Sequence, residues 1–111
     1  MSCTPEHIET LGQGWFAGEA LAISLFCILH YENDIRNGLL AAVNHGGDSD
    51  STGSITGNIL GLINGDDAIP SGWISRLRFS DIVLEIAQDF VIAANNAHEP
   101  DFDWADKYPG Y

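Results

Sequence analysis

The sequence contains few cysteines. Only Cys3 and Cys27 occur among its 111 residues, and no two cysteines are spaced as C-x-x-C. Neither a disulfide framework nor a cysteine-based zinc site is therefore predicted. Cys27 lies inside the apolar run ISLFCILHY, so we expect it to be a small buried residue of the core.

Basic residues are also scarce. Four Lys and Arg side chains stand against sixteen Asp and Glu, which gives a formal net charge of −12. Such a surface repels phosphate groups, so binding to nucleic acid or to an anionic membrane is not expected. The sequence has no apolar run of about eighteen residues. Its N-terminal segment, MSCTPEHIET, has neither the basic start nor the apolar stretch of a secretory signal. We therefore expect a cytoplasmic protein.

The chain has no strand pattern longer than a few residues, and nearly every segment has the features of a helix. We therefore expect an all-α protein in which residues 1–111 form one compact helical domain. The acidic and aromatic tail, residues 98–111, is expected either to be loose or to attach to the body through its aromatic side chains. Helices are predicted over residues 4–11, 16–31, 34–44, 51–63, 69–77 and 79–97.

Two of these helices have an unusual composition. Residues 16–31 are apolar on almost every face, which predicts a buried central helix. In the helix over residues 51–63, three glycines lie four residues apart and therefore on one face. Because glycine costs about 1 kcal/mol relative to alanine in a helix, this spacing indicates that another helix or a ligand approaches closely. Asn33 is expected to cap the helix between them.

The stretch NHGGDSDSTGSITGNILG, residues 44–61, concentrates carboxylates and hydroxyls behind a glycine pair. Asp48 and Asp50 lie two residues apart, where like charges repel unless a cation or water separates them. An EF-hand calcium loop that starts at Asp48 is excluded, because its twelfth position is Ile59 and not the required Glu. Two interpretations remain. Asp48, Asp50 and Ser51 are oxygen ligands of a hard cation, or Asp50 or Ser51 caps the helix while Asp48 lies in water.

Three segments together resemble the ADP-ribosylglycohydrolase family, which includes the dinitrogenase-reductase-activating glycohydrolases. AVNHGGDSDSTGSITGNILG is similar to the family's C-terminal metal motif, a G-D-x-D-[ST] run followed by a glycine-spaced helix. LGQGWFAGEALAISLFCIL is similar to its G-x-G-W loop and the buried helix after it, and AIPSGWISRL to the short segment that follows the glycine-rich helix. The pieces occur in family order over about residues 11–77, so the resemblance covers only the C-terminal portion of the family.

This resemblance implies a fold, an activity and a set of ligands. Family members are all-α and hydrolyse the bond that joins ADP-ribose to a protein side chain or to another leaving group, with a two-metal centre of Mg²⁺ or Mn²⁺. The implied partner of this chain is therefore ADP-ribose or an ADP-ribosylated substrate. By resemblance, the metal ligands are Asp48, Asp50 and Ser51, and the segment that lies against ADP-ribose is Gly12, Gln13, Gly14 and Trp15.

Two neighbouring residues each have alternative roles in this interpretation. His45, next to the motif, is either a hydrogen-bond partner of the metal ligands or a packed or solvated side chain. Glu19 lies on the apolar helix, where an unpaired carboxylate is costly to bury. It is expected to reach toward the metal site, to bind a backbone amide of the loop, or to lie in water at the start of the helix.

Part of the family's metal site is not found in this sequence. The N-terminal half of the family carries an early glycine–aspartate element and a T-D-D-T-type motif, which supply the remaining metal ligands and acidic residues. We expect the chain to be a truncated member without them. Its central helix would then expose apolar surface, which usually marks an interface, so a homodimer or a separate partner is expected to cover it.

Three functions are compatible with this sequence. The chain is a hydrolase whose metal site is completed by a dimer mate or a partner. Alternatively, it is a non-catalytic module of the same fold that binds metal or a nucleotide-like ligand. In the third interpretation, it is a fragment that acts only through protein contacts.

Overall fold

The computed structural model describes residues 2–95 and 102–110. These residues form helices, and the described part of the chain contains no strand, so the all-α prediction is confirmed. None of the helices there is long and apolar enough to cross a membrane. The chain divides into two compact units, Met1–Ile74 and Ser75–Tyr111. The helices are α1 Pro5–Glu9, α2 Ala17–His30, α3 Ile35–Val43, α4 Ser49–Asn64, α5 Ser71–Arg76, α6 Ser80–Asn95 and α7 Phe102–Lys107, with a 3₁₀ turn at Asp66–Ala68.

Local capping chemistry sets the start of the first and third helices. Thr4 precedes α1, and its side-chain oxygen accepts the backbone N–H of His7 at 3.3 Å. Asp34 precedes α3, and its carboxylate accepts the backbone N–H of Asn37 at 3.1 Å. The prediction that Asn33 caps α3 is therefore wrong. Asp caps a helix as well as Asn does, and the cap lies one residue later.

The first unit is built around α2, α3 and α4, which pack against one another. Two groups of buried apolar residues lie between these helices. Leu60 of α4 is fully buried in one of them, and Ile8 brings α1 into the other. Cys27 is also fully buried, as expected from its apolar surroundings. The two groups are Ile8, Ile23, Cys27 and Ala42, and Ile28, Ile35 and Leu60.

One side of α2 is exposed. Leu21, Leu25 and Leu29, here called the α2 stripe, lie four residues apart and are 49%, 43% and 77% exposed. The prediction that this helix is buried on every face is therefore wrong for the stripe. The physical reason is that its other side packs against α3 and α4, while the stripe faces away from the buried residues Ile23 and Cys27.

The glycines of α4 serve close packing at one end of that helix. A Cβ atom at Gly53 would lie 2.7 Å from Cγ1 of Val43, closer than carbon atoms normally approach. At Gly57 the corresponding contact with Leu39 is 3.4 Å, and a Cβ atom at Gly61 would meet open space. Close approach of another helix therefore explains the first glycine and not the third.

In the second unit, α7 is held against α6 by charged and polar contacts. Lys107 pairs with Glu85 at 2.5 Å and with Asp89 at 2.8 Å. The Tyr108 hydroxyl donates to Asp89 at 2.7 Å. The pKa of the Asp89 carboxyl is lowered, first by Lys107 and then by Tyr108. Lys107 and Tyr108 of the predicted tail thus contact α6, while its residues 98–101 and 111 lie outside the described residues.

Two buried threonines on α4 offer a matched test of packing. Thr52 and Thr56 are both fully buried, but within the described residues the Thr56 hydroxyl has no hydrogen-bond partner. Thr56→Val keeps the shape of the side chain and removes an unsatisfied polar group. We expect it to raise the free energy of unfolding by about 1 kcal/mol, measured by urea denaturation.

The same substitution at Thr52 is the control. The Thr52 hydroxyl donates to the carbonyl of Ala42 at 2.6 Å, so Thr52→Val should lower the free energy of unfolding by about 1–3 kcal/mol. If both variants shifted stability in the same direction, this description of the two hydroxyls would be incorrect.

Candidate metal centre

Two glycine-containing loops meet at one end of the first unit. Residues 10–16 connect α1 to α2, and residues 44–48 connect α3 to α4. The backbone N–H of Asp48 donates to the carbonyl of Gln13 at 2.6 Å. A Cβ atom at Gly47 would collide with that same carbonyl group. The two segments that the sequence pointed to, far apart in the chain, are therefore in direct contact.

The first loop depends on glycine for its conformation. Gly12 and Gly14 have positive φ angles, 114° and 81°, which other residues adopt only with strain. Gly14 is also buried, and a Cβ atom there would lie 3.2 Å from the methyl group of Thr52 and 3.6 Å from Cβ of Asp48. These glycines allow the loop to pack closely against the start of α4.

Asp48, Asp50 and Ser51 come together at that start. Asp48 occupies the N-cap position and is half-buried, whereas Asp50 is exposed in the first turn. The pKa of the Asp48 carboxyl is lowered, first by hydrogen bonding with the Asp50 carboxyl and next by hydrogen bonding with Ser51. The backbone N–H of Ser51 donates to Oδ1 of Asp50 at 3.0 Å. The interpretation in which Asp50 or Ser51 caps the helix is wrong, because α4 begins at Ser49.

This donor set suits a hard divalent cation but does not surround one. It offers two carboxylates and a hydroxyl, the oxygen chemistry that Mg²⁺ and Mn²⁺ prefer. Mg²⁺ takes about six ligands. In the part of the chain that the structure describes, no three His, Cys, Asp or Glu side chains group closely enough to hold a metal ion. The residues therefore fit one side of a metal site.

The His45 ring forms hydrogen bonds within the second loop and to α4. The backbone N–H of Gly47 donates to its Nδ1 at 3.1 Å, and its Nε2 lies 2.9 Å from the Thr52 hydroxyl. Because Nδ1 accepts, the proton of the neutral ring belongs on Nε2, which donates to Thr52. The Thr52 hydroxyl in turn donates to Ala42. His45 thus fixes the backbone on which Asp48 lies.

Glu19 and Trp15 flank the first loop. Oε1 of Glu19 accepts the backbone N–H of Gln13 at 3.3 Å. Of the three placements expected for the Glu19 carboxylate, the structure therefore has the one in which it binds a backbone amide of the loop. The indole N–H of Trp15 donates to Oε1 of Gln13 at 2.8 Å. Trp15 is nevertheless 64% exposed, and its ring is free to stack on a flat ligand.

A shallow depression opens beside the carboxylates. It has a volume of about 370 Å³ and is lined by Asp50, Ser51, Ser54 and Ile55. It combines acidic and hydroxyl oxygens with one apolar side chain. A polar ligand that also binds a cation would find both kinds of contact here.

Sequence reasoning did not assign two residues that shape the site. Oε1 of Glu9 accepts the backbone N–H of Gly46 at 3.1 Å, which links α1 to the second loop. Thr52 anchors His45 and the end of α3 through its hydroxyl. For Thr52, the only signal in the sequence was a hydroxyl in the first turn of α4. For Glu9 there was none, because nothing in the sequence distinguishes it from the other acidic residues.

Comparisons with known proteins agree on one family. The family model of ADP-ribosylglycohydrolase matches residues 2–100. The ADP-ribosyl-[dinitrogen reductase] glycohydrolase of Rhodospirillum rubrum is 43% identical over 53 residues, which cover 45% of this chain and 18% of that protein. The match thus spans less than a fifth of the relative's length. No solved structure matches the chain significantly.

Proposed function

The chain belongs to the ADP-ribosylglycohydrolase family, and we propose that it contributes one side of a metal-dependent site that hydrolyses an ADP-ribosyl glycosidic bond. The observation that carries this proposal is the contact between the two loops. The hydrogen bond from Asp48 to Gln13 brings the candidate metal ligands next to the segment that, by family resemblance, lies against ADP-ribose. The substrate would be ADP-ribose attached to a protein side chain or to another leaving group.

The side chains of the two loops would have different roles in cation binding, nucleotide binding and positioning of the loops. Asp48, Asp50 and Ser51 would hold Mg²⁺ or Mn²⁺, which supplies charge stabilisation and lowers the pKa of water. Trp15, exposed beside the loop, would stack on a flat part of the nucleotide. Glu19 and His45 keep the two loops in place through the amides of Gln13 and Gly47.

We infer that hydrolysis also uses ligands from outside the described residues. Two carboxylates and a hydroxyl leave most positions around a cation open, and the matched segment spans only 18% of the related glycohydrolase. We propose that a second copy of this chain or a separate partner completes the site. Turnover by the isolated chain is expected to be weak or absent, while binding of the cation and ADP-ribose is retained.

Calorimetric titration of Mg²⁺ into the purified chain, with and without ADP-ribose, tests the site. We expect saturable binding that ADP-ribose strengthens. In the double variant Asp48→Asn with Asp50→Asn, the affinity should fall at least about tenfold, which corresponds to about 1.4 kcal/mol. The loss follows because neutral amides replace both anionic ligands.

The matched control is the double variant Asp66→Asn with Asp67→Asn. It removes the same charge from Asp66 and Asp67, two exposed carboxylates in the 3₁₀ turn after α4. It should bind Mg²⁺ as the unaltered chain does. If both double variants lost affinity equally, the binding would reflect overall acidity, and the proposed site would be incorrect.

The exposed α2 stripe favours a second candidate, a non-catalytic module that acts through protein contacts. Three leucines on one helix side, near the exposed Phe16 of the same segment, form apolar surface of the kind that marks interfaces. In this case the chain would bind a second copy or another protein through the stripe, and any metal or nucleotide-like ligand would bind without turnover.

Sedimentation velocity at micromolar concentration, combined with binding of an apolar dye, tests the stripe. We expect either a dimer or a monomer that binds the dye. Leu25→Glu with Leu29→Glu should abolish the dimer or reduce the dye binding, because charges replace the apolar contact. Leu62→Glu, at a position that is 87% exposed on α4, is the control and should have no effect. A monomer that binds no dye would rule out an interface at the stripe.

A further inference from the structure

Cys3 and Cys27 lie side by side in the first unit. Their Sγ atoms are 4.0 Å apart, and both cysteines are free thiols. Cys27 is fully buried in α2, and the half-buried Cys3 packs against the apolar group that contains it. We propose that this pair is a reversible disulfide site, oxidised by a low-molecular-weight disulfide such as glutathione disulfide.

The two sulfur atoms must move closer together for the bond to form. A disulfide bond is about 2.05 Å long, so the sulfur atoms must approach by about 2 Å. Cys27 is held within a helix and is surrounded by core residues. Cys3 precedes α1 and lies outside regular structure, so it can move without breaking helical hydrogen bonds. The present contact between the two sulfur atoms shows that the side chains already point toward each other.

The difference in exposure between the two cysteines sets the order of the reaction. The Cys3 thiolate attacks one sulfur of glutathione disulfide, which forms a mixed disulfide and releases one glutathione thiolate. Cys27 then loses its proton and attacks Sγ of Cys3, which forms the Cys3–Cys27 bond and releases the second glutathione. Two protein thiols are oxidised, and one glutathione disulfide is reduced to two glutathione molecules.

Burial makes the second step slow near neutral pH. Desolvation raises the pKa of Cys27 to about 12 and also raises the pKa of Cys3. Since the thiolate is the attacking species, the rate of bridge formation should increase as the pH rises above neutral. In a reducing compartment such a bond forms transiently and responds to oxidant.

The Cys3–Cys27 disulfide would stabilise the first loop of the candidate metal centre. It would close a segment of about 25 residues that contains α1 and the loop with Gln13. This segment also carries Glu9, whose carboxylate binds the amide of Gly46. Loop closure restricts the unfolded chain, and for a loop of this length the midpoint of thermal unfolding should rise by about 15 °C.

Mass spectrometry after incubation with glutathione disulfide tests the proposal. The full chain is treated at pH 8.5, remaining thiols are blocked with iodoacetamide, and the peptides are mapped without reduction. We expect a Cys3–Cys27 cross-linked peptide, a mass lower by two hydrogen atoms, and a higher unfolding midpoint. Dithiothreitol should reverse all three.

Cys3→Ser is the control, since it keeps the size of a half-buried side chain and removes one sulfur. It should show neither the cross-link nor the change in unfolding midpoint. A stable glutathione adduct on Cys3 without the cross-link, a disulfide between two chains, or no reaction after several hours would each overturn the proposal.

Discussion

A single backbone hydrogen bond, from the N–H of Asp48 to the carbonyl of Gln13, joins the two loops of the candidate site. It forms because Gly47 has no side chain to obstruct the carbonyl, and because Gly12 and Gly14 adopt positive φ angles. Replacing these glycines would separate the loops or strain the backbone. The helices of the first unit therefore hold the two glycine-containing loops in contact.

The charges at the contact between the two loops indicate which kind of ligand it can bind. Hydrogen bonding with the neighbouring Asp50 lowers the pKa of the Asp48 carboxyl at the start of α4, and two carboxylates that close repel unless a proton or a cation lies between them. The formal net charge of −12 adds a long-range field that attracts cations and repels phosphate polymers. The acidity that argues against nucleic-acid binding would also favour a divalent cation at the proposed site.

Local chemistry could be predicted from the sequence, while arrangement in space could not. The start of α1 followed from Thr4, since a cap is a contact between near neighbours. Asn33 and Asp34 are equally good caps in sequence, and only the structure distinguishes them. Which side of α2 stays exposed depends on neighbouring helices, which composition does not specify. Asp48, Asp50 and Ser51 are candidate metal ligands by resemblance to a family, but Glu9 and Thr52 carry no sequence signal that sets them apart from other acidic and hydroxyl residues.

Substoichiometric Mn²⁺ in a two-dimensional amide NMR spectrum would test most directly whether the two loops form one cation site. Paramagnetic broadening is strongest close to the bound ion. A site built by the two loops predicts selective loss of the signals of residues 13–15 and 47–51, with the signals of α6 and α7 retained. Broadening spread over the acidic surface, or centred on Glu85 and Asp89, would contradict it.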